Sequence, residues 1–220
     1  IPLVLNTPFS IIVTRNQQHL EPISWLASDT ADAYFNPIHS YYNPEIETEH
    51  KNIIILILES FSSSKIGYFN AQKPSLTPYL DGILEQSLTF NGIANGKKSI
   101  EGIPAILSSI PNLFRQPFLT SIYASNRISS LASLLEVQEY SSAFFHGGKN
   151  GTMNLNSYSK NAGFDDYFGM DEYTNDEDYD GSWGIWDHKF YPFFISQLRT
   201  IKQPFITAFF SLSKCSLCSI

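Results

Sequence analysis

The chain has 220 residues, 43% of them hydrophobic and 15% aromatic, which is ample material for one packed domain with or without an arm. Its 14 Lys and Arg stand against 21 Asp and Glu, and the formal charge of -7 argues against binding to phosphate backbones of nucleic acid. The longest purely apolar run, Ile53 to Leu58, is far too short to span a bilayer, and Cys215 and Cys218 alone make no disulfide framework.

The sequence starts at Ile1 without a basic-then-apolar leader, and it reads as a piece of a longer chain. Residues 1–50 carry five prolines among short apolar patches, a composition suited to an arm or tether preceding a domain that begins at about residue 51. Ile53 to Leu58 predicts a strand buried on both faces, as in parallel sheets. Thr77-Pro78 starts a helix carrying Leu80, Ile83, Leu84 and Leu88 at helical spacing. Leu88 to Ala94 is a second strand candidate, followed by the loop Asn95-Gly96-Lys97-Lys98. Helices are predicted over 99–109 and 128–137, a strand over Tyr140 to Phe145 ending at His146-Gly147-Gly148, and a weaker helix over 154–162. An aromatic-rich helix over 187–201 and a last buried strand, Phe205 to Leu212, complete an alternation that predicts an α/β sandwich with a largely parallel sheet.

Ligands bind at the carboxyl ends of strands in open parallel sheets. Three polar groups fall there: Glu59 after the first strand, Lys98-Ser99 after the second, and His146 after a later one. Each alone has a plain structural role, as a solvated carboxylate, a helix cap and a turn residue. Their placement on one sheet edge makes them a candidate site.

Three further segments imitate functional motifs. Gly92 to Ser99 is similar to a phosphate-binding P-loop, but only three residues separate its glycines and Lys98 intervenes between Lys97 and Ser99. Asp176, Asp178, Asp180, Gly181 and Asp187 satisfy a calcium-loop spacing, but Gly169 to Asn175 offers no entering helix, which leaves a solvated acidic loop. Cys215-x-x-Cys218 lacks the second half of a zinc site.

Several segments together resemble the lipoteichoic acid synthase-like, sulfatase-like phosphoglycerol transferases of the alkaline phosphatase superfamily. They are Asn52 to Phe61 with Glu59, Leu76-Thr77-Pro78-Tyr79-Leu80-Asp81, Asn95 to Leu107 with Ser99, Phe145 to Met153 with His146, Ala162-Gly163-Phe164-Asp165, and Gly181 to Asp187. The resemblance runs from about residue 50 to Ser213 in family order. It implies an alkaline phosphatase-like three-layer sandwich, with residues 51–220 as the amino-terminal part of a catalytic domain that is incomplete at its carboxyl end. Residues 1–50 then match the tether to membrane helices on the extracytoplasmic face of a bacterial cell membrane. Ser99 matches the nucleophile, Glu59 and the Ser99 oxygen match ligands of a divalent metal (manganese, with magnesium or zinc as alternatives), and Lys98 and His146 match substrate-binding positions. The implied substrates are a phosphatidylglycerol-type lipid donor and a polymer or glycan acceptor. Hydrolysis of phosphate or sulfate esters on the same scaffold is the alternative.

The sequence departs from the family in two places. Formylglycine-forming sulfatases need Pro or Ala two residues after the modified residue and Arg four after it. Here Glu101 and Ile103 stand there, which favours an unmodified serine. The segment after Phe209-Phe210-Ser211-Leu212-Ser213 lacks the family's pocket histidines, and no later Asp-His metal pair follows. The expectation is a truncated copy that is catalytically dead or nearly so, with its final strand exposed.

Overall fold

The computed structural model describes residues 49–70, 74–94, 96–112 and 116–212, together with a few isolated earlier positions. The chain divides into two units, 1–51 and 52–220, and the expected arm over 1–50 lies almost wholly outside the described residues, as does the Cys215-Cys218 segment.

Four strands form one all-parallel sheet in the second unit. They are β1 (Ile53–Ile57), β2 (Ser141–Phe145), β3 (Asp166–Phe168) and β4 (Phe205–Phe210), in the spatial order β1-β4-β2-β3. Ile53 pairs with Ile206, Ser141 with Phe205, and Ala143 with Asp166. The helices are α1 (Pro78–Leu84), α2 (Ser99–Ser108), α3 (Leu131–Glu136), α4 (Leu155–Asn161), the single turn α5 (Met170–Tyr173) and α6 (Asp187–Leu198).

Two apolar clusters sandwich the sheet. On one face Phe144, Ile206, Ala208 and Phe210 pack with Ile103 and Leu107 of α2, Ala132 of α3, and Leu155 and Tyr158 of α4. On the other, Ala143, Phe145 and Phe209 meet Phe190 and Phe194 of α6. Alternate residues of one strand point to opposite faces, so these two sets fix three layers: helices, sheet, helix. This is the expected α/β architecture with a parallel sheet.

Four local expectations are corrected. Among the described residues β1 is covered on one face only: Ile53, Ile55 and Ile57 pack on the core, whereas Ile54, Leu56 and Leu58 are 46%, 53% and 40% exposed. An apolar run reports that a strand suits a covered face, not that a layer lies over both faces, and among the described residues β1 sits at the sheet edge, paired with β4 alone. β4 is the buried strand its pattern predicts, all six residues lying between β1 and β2, and the exposure expected of it from a missing carboxyl-terminal part is not found. Leu88 to Ala94 joins no strand among the described residues, and Leu88, Phe90 and Ile93 are almost fully exposed. A strand pattern needs a neighbour with free N–H and C=O groups, and none is set beside it. Finally, α5 does precede the acidic loop, where no helix was expected, and β3, only three residues long, was not expected at all.

Two serine-rich knots fix the loops around the sheet. Asp81 of α1 accepts from the hydroxyls of Ser75 and Thr77 at 2.5 and 2.8 Å and from the Tyr68 N–H at 3.0 Å. These donors, the Ser75 hydroxyl foremost, hold its carboxyl below the usual range despite the opposing effect of burial. Ser130 caps α3 by accepting from the N–H groups of Ala132 and Ser133, while its hydroxyl donates to the Ala162 carbonyl at 2.6 Å.

Candidate active site

The β1 strand delivers Glu59 to the carboxyl edge of the sheet, two residues past its end. The end of β4 clamps it there: the Ser211 N–H donates to the Ile57 carbonyl at 3.0 Å, and the Glu59 N–H donates to Ser211 Oγ at 2.7 Å. The Glu59 carboxylate is met by hydroxyls on both oxygens, Ser60 Oγ at 2.8 Å from Oε1 and Ser99 Oγ at 2.5 Å from Oε2. Ser60 takes a left-handed backbone conformation, φ +53°, an uncommon state for a non-glycine residue that turns the chain sharply at the sheet edge. Two residues 40 apart in sequence, both singled out for their chemistry, are thus in direct contact.

Ser99 is the first residue of α2, where the helix's positive end faces the oxygen and favours a negative charge on it. It reaches the site from this helix alone, without the strand expected to precede it. The helix entrance is occupied by its own acid: Glu101 Oε2 accepts from the N–H groups of Lys97 and Lys98 at 2.7 and 3.2 Å. A side chain on Gly96 would collide with that carboxylate, its β-carbon 2.8 Å from Oε2. In a P-loop, successive N–H groups of this kind would hold phosphate. Here two of them already hold a carboxylate, which gives a structural reason against the nucleotide-binding reading. Lys98 is exposed, and among the described residues its ammonium forms no ion pair.

His146 lies at the end of β2, fully buried, with its ring stacked on Phe210 at 4.8 Å between centroids. Nδ1 is 3.1 Å from the Phe210 carbonyl, and a carbonyl can only accept, so the neutral ring carries its proton on Nδ1 and presents a lone pair at Nε2. Nε2 is buried and without a hydrogen-bond partner. Burial pushes the imidazole below its ordinary range, while the Phe210 carbonyl and the charges of Asp187 and Glu59 pull it back upward. Asp187, the first residue of α6, accepts from the Leu212 N–H at 2.9 Å and so ties the end of β4 to the same edge.

Glu59, Ser99 and His146 therefore share one sheet edge, with Glu59 and Ser99 in contact and His146 joined to Glu59 through the local field. Ser60, Ser211, Asp187 and Glu101 complete the surroundings. Of these, Ser60 stands next to Glu59, while Glu101 and Asp187 stand out in the sequence for other reasons, the formylglycine pattern and the calcium-loop spacing. The contacts of Ser211 and Asp187 depend on pairing across the sheet, which a linear reading does not show.

The acidic loop is internally satisfied. Asp178 accepts from the Tyr173 hydroxyl at 2.7 Å and from the Asn175 amide at 2.9 Å, and pairs with Lys189 at 3.3 Å. Its carboxyl is lowered by these partners, with the tyrosine hydroxyl first. Among the described residues no group of three or more His, Cys, Asp or Glu is arranged to hold a metal ion, and no helix is long and apolar enough to cross a membrane.

A parallel sheet sandwiched by helices, with a carboxylate and the first serine of a helix meeting at its carboxyl edge, is an alkaline phosphatase-like fold. The chain belongs to the sulfatase family, which it matches over residues 51–213, as a lipoteichoic acid synthase-like member. It is 29% identical over 173 residues to lipoteichoic acid synthase 2 of Bacillus subtilis (strain 168), covering 76% of this chain and 26% of that protein. It is 28% identical over 197 residues to lipoteichoic acid synthase 1 of the same organism, covering 84% and 29%. The chain thus spans little more than a quarter of the length of these relatives. A crystal structure of an alkaline phosphatase superfamily protein from Vibrio parahaemolyticus superposes with a TM-score of 0.67 at 27% identity, covering 78% of this chain and 42% of that one. The lipoteichoic acid synthase LtaP from Listeria monocytogenes shares the fold, with a TM-score of 0.64 at 22% identity and coverage of 76% and 42%.

Proposed function

We propose that this chain carries the nucleophile half of a metal-dependent phosphoglycerol transferase centre acting at the extracytoplasmic membrane face. The observation that supports this most directly is the 2.5 Å contact from Ser99 Oγ to Glu59, at a helix start and a parallel-sheet edge. In this reading Ser99 Oγ attacks the phosphorus of a phosphatidylglycerol-type lipid, and the new O–P bond replaces the bond to diacylglycerol, which leaves with a proton. The hydroxyl of a polymer or glycan acceptor then attacks the same phosphorus, and the serine regains its proton. Glu59 orients the serine hydroxyl, the α2 N-terminus favours charge on its oxygen, and His146 lines the pocket.

Carboxylate and hydroxyl oxygens suit a hard divalent cation, so Glu59 and Ser99 fit part of a metal donor set. A bound manganese, magnesium or zinc ion would be held by these two and by groups beyond them, and would supply a lowered hydroxyl pKa. Lys98 stands as a candidate counter-charge for the substrate phosphate.

The test is incubation of the complete protein, as its gene encodes it, with phosphatidylglycerol vesicles and manganese, followed by peptide mass analysis. A glycerophosphate adduct on Ser99, lost in Ser99→Ala together with turnover, is expected. An adduct on Ser60 or Thr77, or turnover retained in Ser99→Ala, overturns the assignment. The sulfatase family match supports ester hydrolysis as a second reading. It is distinguished by release of free glycerophosphate to water when an acceptor is present.

A further inference from the structure

The turn that follows β2 is held from outside by the acidic loop. Asp180 Oδ1 accepts from the N–H groups of Ser182, Trp183 and Gly184 at 2.8, 2.7 and 3.1 Å, and the Asp180 N–H donates to the Gly184 carbonyl at 2.8 Å. One carboxylate oxygen thereby closes the loop on itself and fixes Gly184. Gly184 in turn forms an antiparallel bridge with Gly148, and the Ile185 N–H donates to the Gly147 carbonyl at 2.8 Å. The approach leaves no room for a side chain, since a β-carbon on Gly184 would stand 2.2 Å from the Gly147 oxygen. A β-carbon on Gly148 would stand 2.6 Å from His146 Nε2, the buried nitrogen that lacks a partner. Hydrogen bonds therefore run from the Asp180 carboxylate to the Gly147-Gly148 turn, and Gly148 stands against the imidazole.

We infer that Asp180 is a positioning residue for His146. Its carboxylate fixes the 180–184 loop, the loop fixes Gly147-Gly148, and that turn lies so close to Nε2 that a methyl group on Gly148 would collide with it. This positioning is read on the protein alone. The charge state agrees. Burial pulls the Asp180 carboxyl upward, but the three N–H groups and the Lys149 ammonium outweigh it and hold it below the ordinary range. Lys149 itself is seated over the Tyr179 ring at 4.9 Å, beside the same loop.

The experiment is nitrogen-proton correlation of the histidine rings in the labelled 220-residue chain, with His146 assigned by loss of its signal in His146→Gln. The wild type should show a single His146 form protonated at Nδ1. Asp180→Ala should displace or broaden that signal while the other four histidines and the far-ultraviolet dichroism stay in place. Asp180→Asn, which keeps the acceptor oxygen, should restore it, an outcome that a merely structural role for the charge would not give. An unmoved His146 signal in folded Asp180→Ala overturns the inference, as does an equal displacement in Asp180→Asn. Should Asp180→Ala not fold, Ser182→Pro removes one of the three donors at an exposed position, and the same two outcomes decide. A His146 signal that moves as expected in a complete protein without transfer activity upholds the positioning and sinks the proposed function instead.

Discussion

Phe209 is the residue on which the corrected place of β4 is most directly tested. Its ring is fully buried and lies 4.5, 4.9 and 5.9 Å from the rings of Tyr191, Phe194 and Phe190. Truncating such a side chain removes its transfer free energy and leaves a cavity that rigid aromatic neighbours cannot fill, so Phe209→Ala should cost about 3–5 kcal/mol. Leu56 on the open face of β1 is 53% exposed. Leu56→Ala forfeits about half of a leucine's burial and creates no enclosed cavity, so its cost is about 1 kcal/mol. With a urea dependence of about 2 kcal/mol per molar, the two variants should lower the unfolding midpoint by about 2 M and about 0.5 M, the slope unchanged. Far-ultraviolet dichroism on urea series at fixed pH measures both. Equal shifts, or a Phe209→Ala shift below about 0.5 M, would refute the placement of β4 at the sheet centre and β1 at its edge.

Two more outcomes follow from individual side chains. Burial pushes the Tyr158 hydroxyl up to about 12, against a smaller lowering by its 2.8 Å contact with Ser108. A raised folded-state value gives stability that is whole below the unfolded tyrosine's titration near pH 10 and is lost as pH climbs from there to about 12. Tyr158→Phe should flatten that alkaline loss in urea unfolding at pH 8, 10 and 11, and an unchanged loss would contradict it. Asp178 is already engaged by Tyr173, Asn175 and Lys189, so calorimetric titration should find no micromolar calcium binding. Binding at that level, abolished in Asp178→Ala, would revive the calcium-loop reading.

The sequence carried the site's two touching members because each sits where local chemistry is decisive: Glu59 closes an unmistakable β-branched run, and Ser99 opens a helix. It carried the parallel α/β class through the alternation of such runs with helical periods. It could not carry strand order. The five apolar residues of β1 and the mostly apolar six of β4 look alike in a line, yet one strand lies at the edge and the other at the centre. The three residues of β3 are too few to display a period, and the pattern at Leu88 to Ala94 shows what a residue run suits, not whether a partner stands beside it. Glu101 illustrates the same limit at the site. Its spacing from Ser99 spoke against formylglycine chemistry, but only the folded helix start shows its carboxylate on the two N–H groups that a phosphate would have used.

The position of β4 also governs the order in which this sheet is assembled. Ile53 must wait for Ile206, and Ser141 for Phe205, before either strand has its neighbour on that side. The first strand made is therefore paired by the last, and the sheet's central pairings are among its most distant in sequence. Long-range parallel pairing is slow because loop closure precedes any reward. Until Phe205–Phe210 arrives during synthesis, β1 holds a row of unpaired N–H and C=O groups beside exposed isoleucines, a state open to capture by other chains. The same insertion that brings Ser211 against Glu59 thus makes the site the last part of the domain to exist, and ties its formation to completion of the fold.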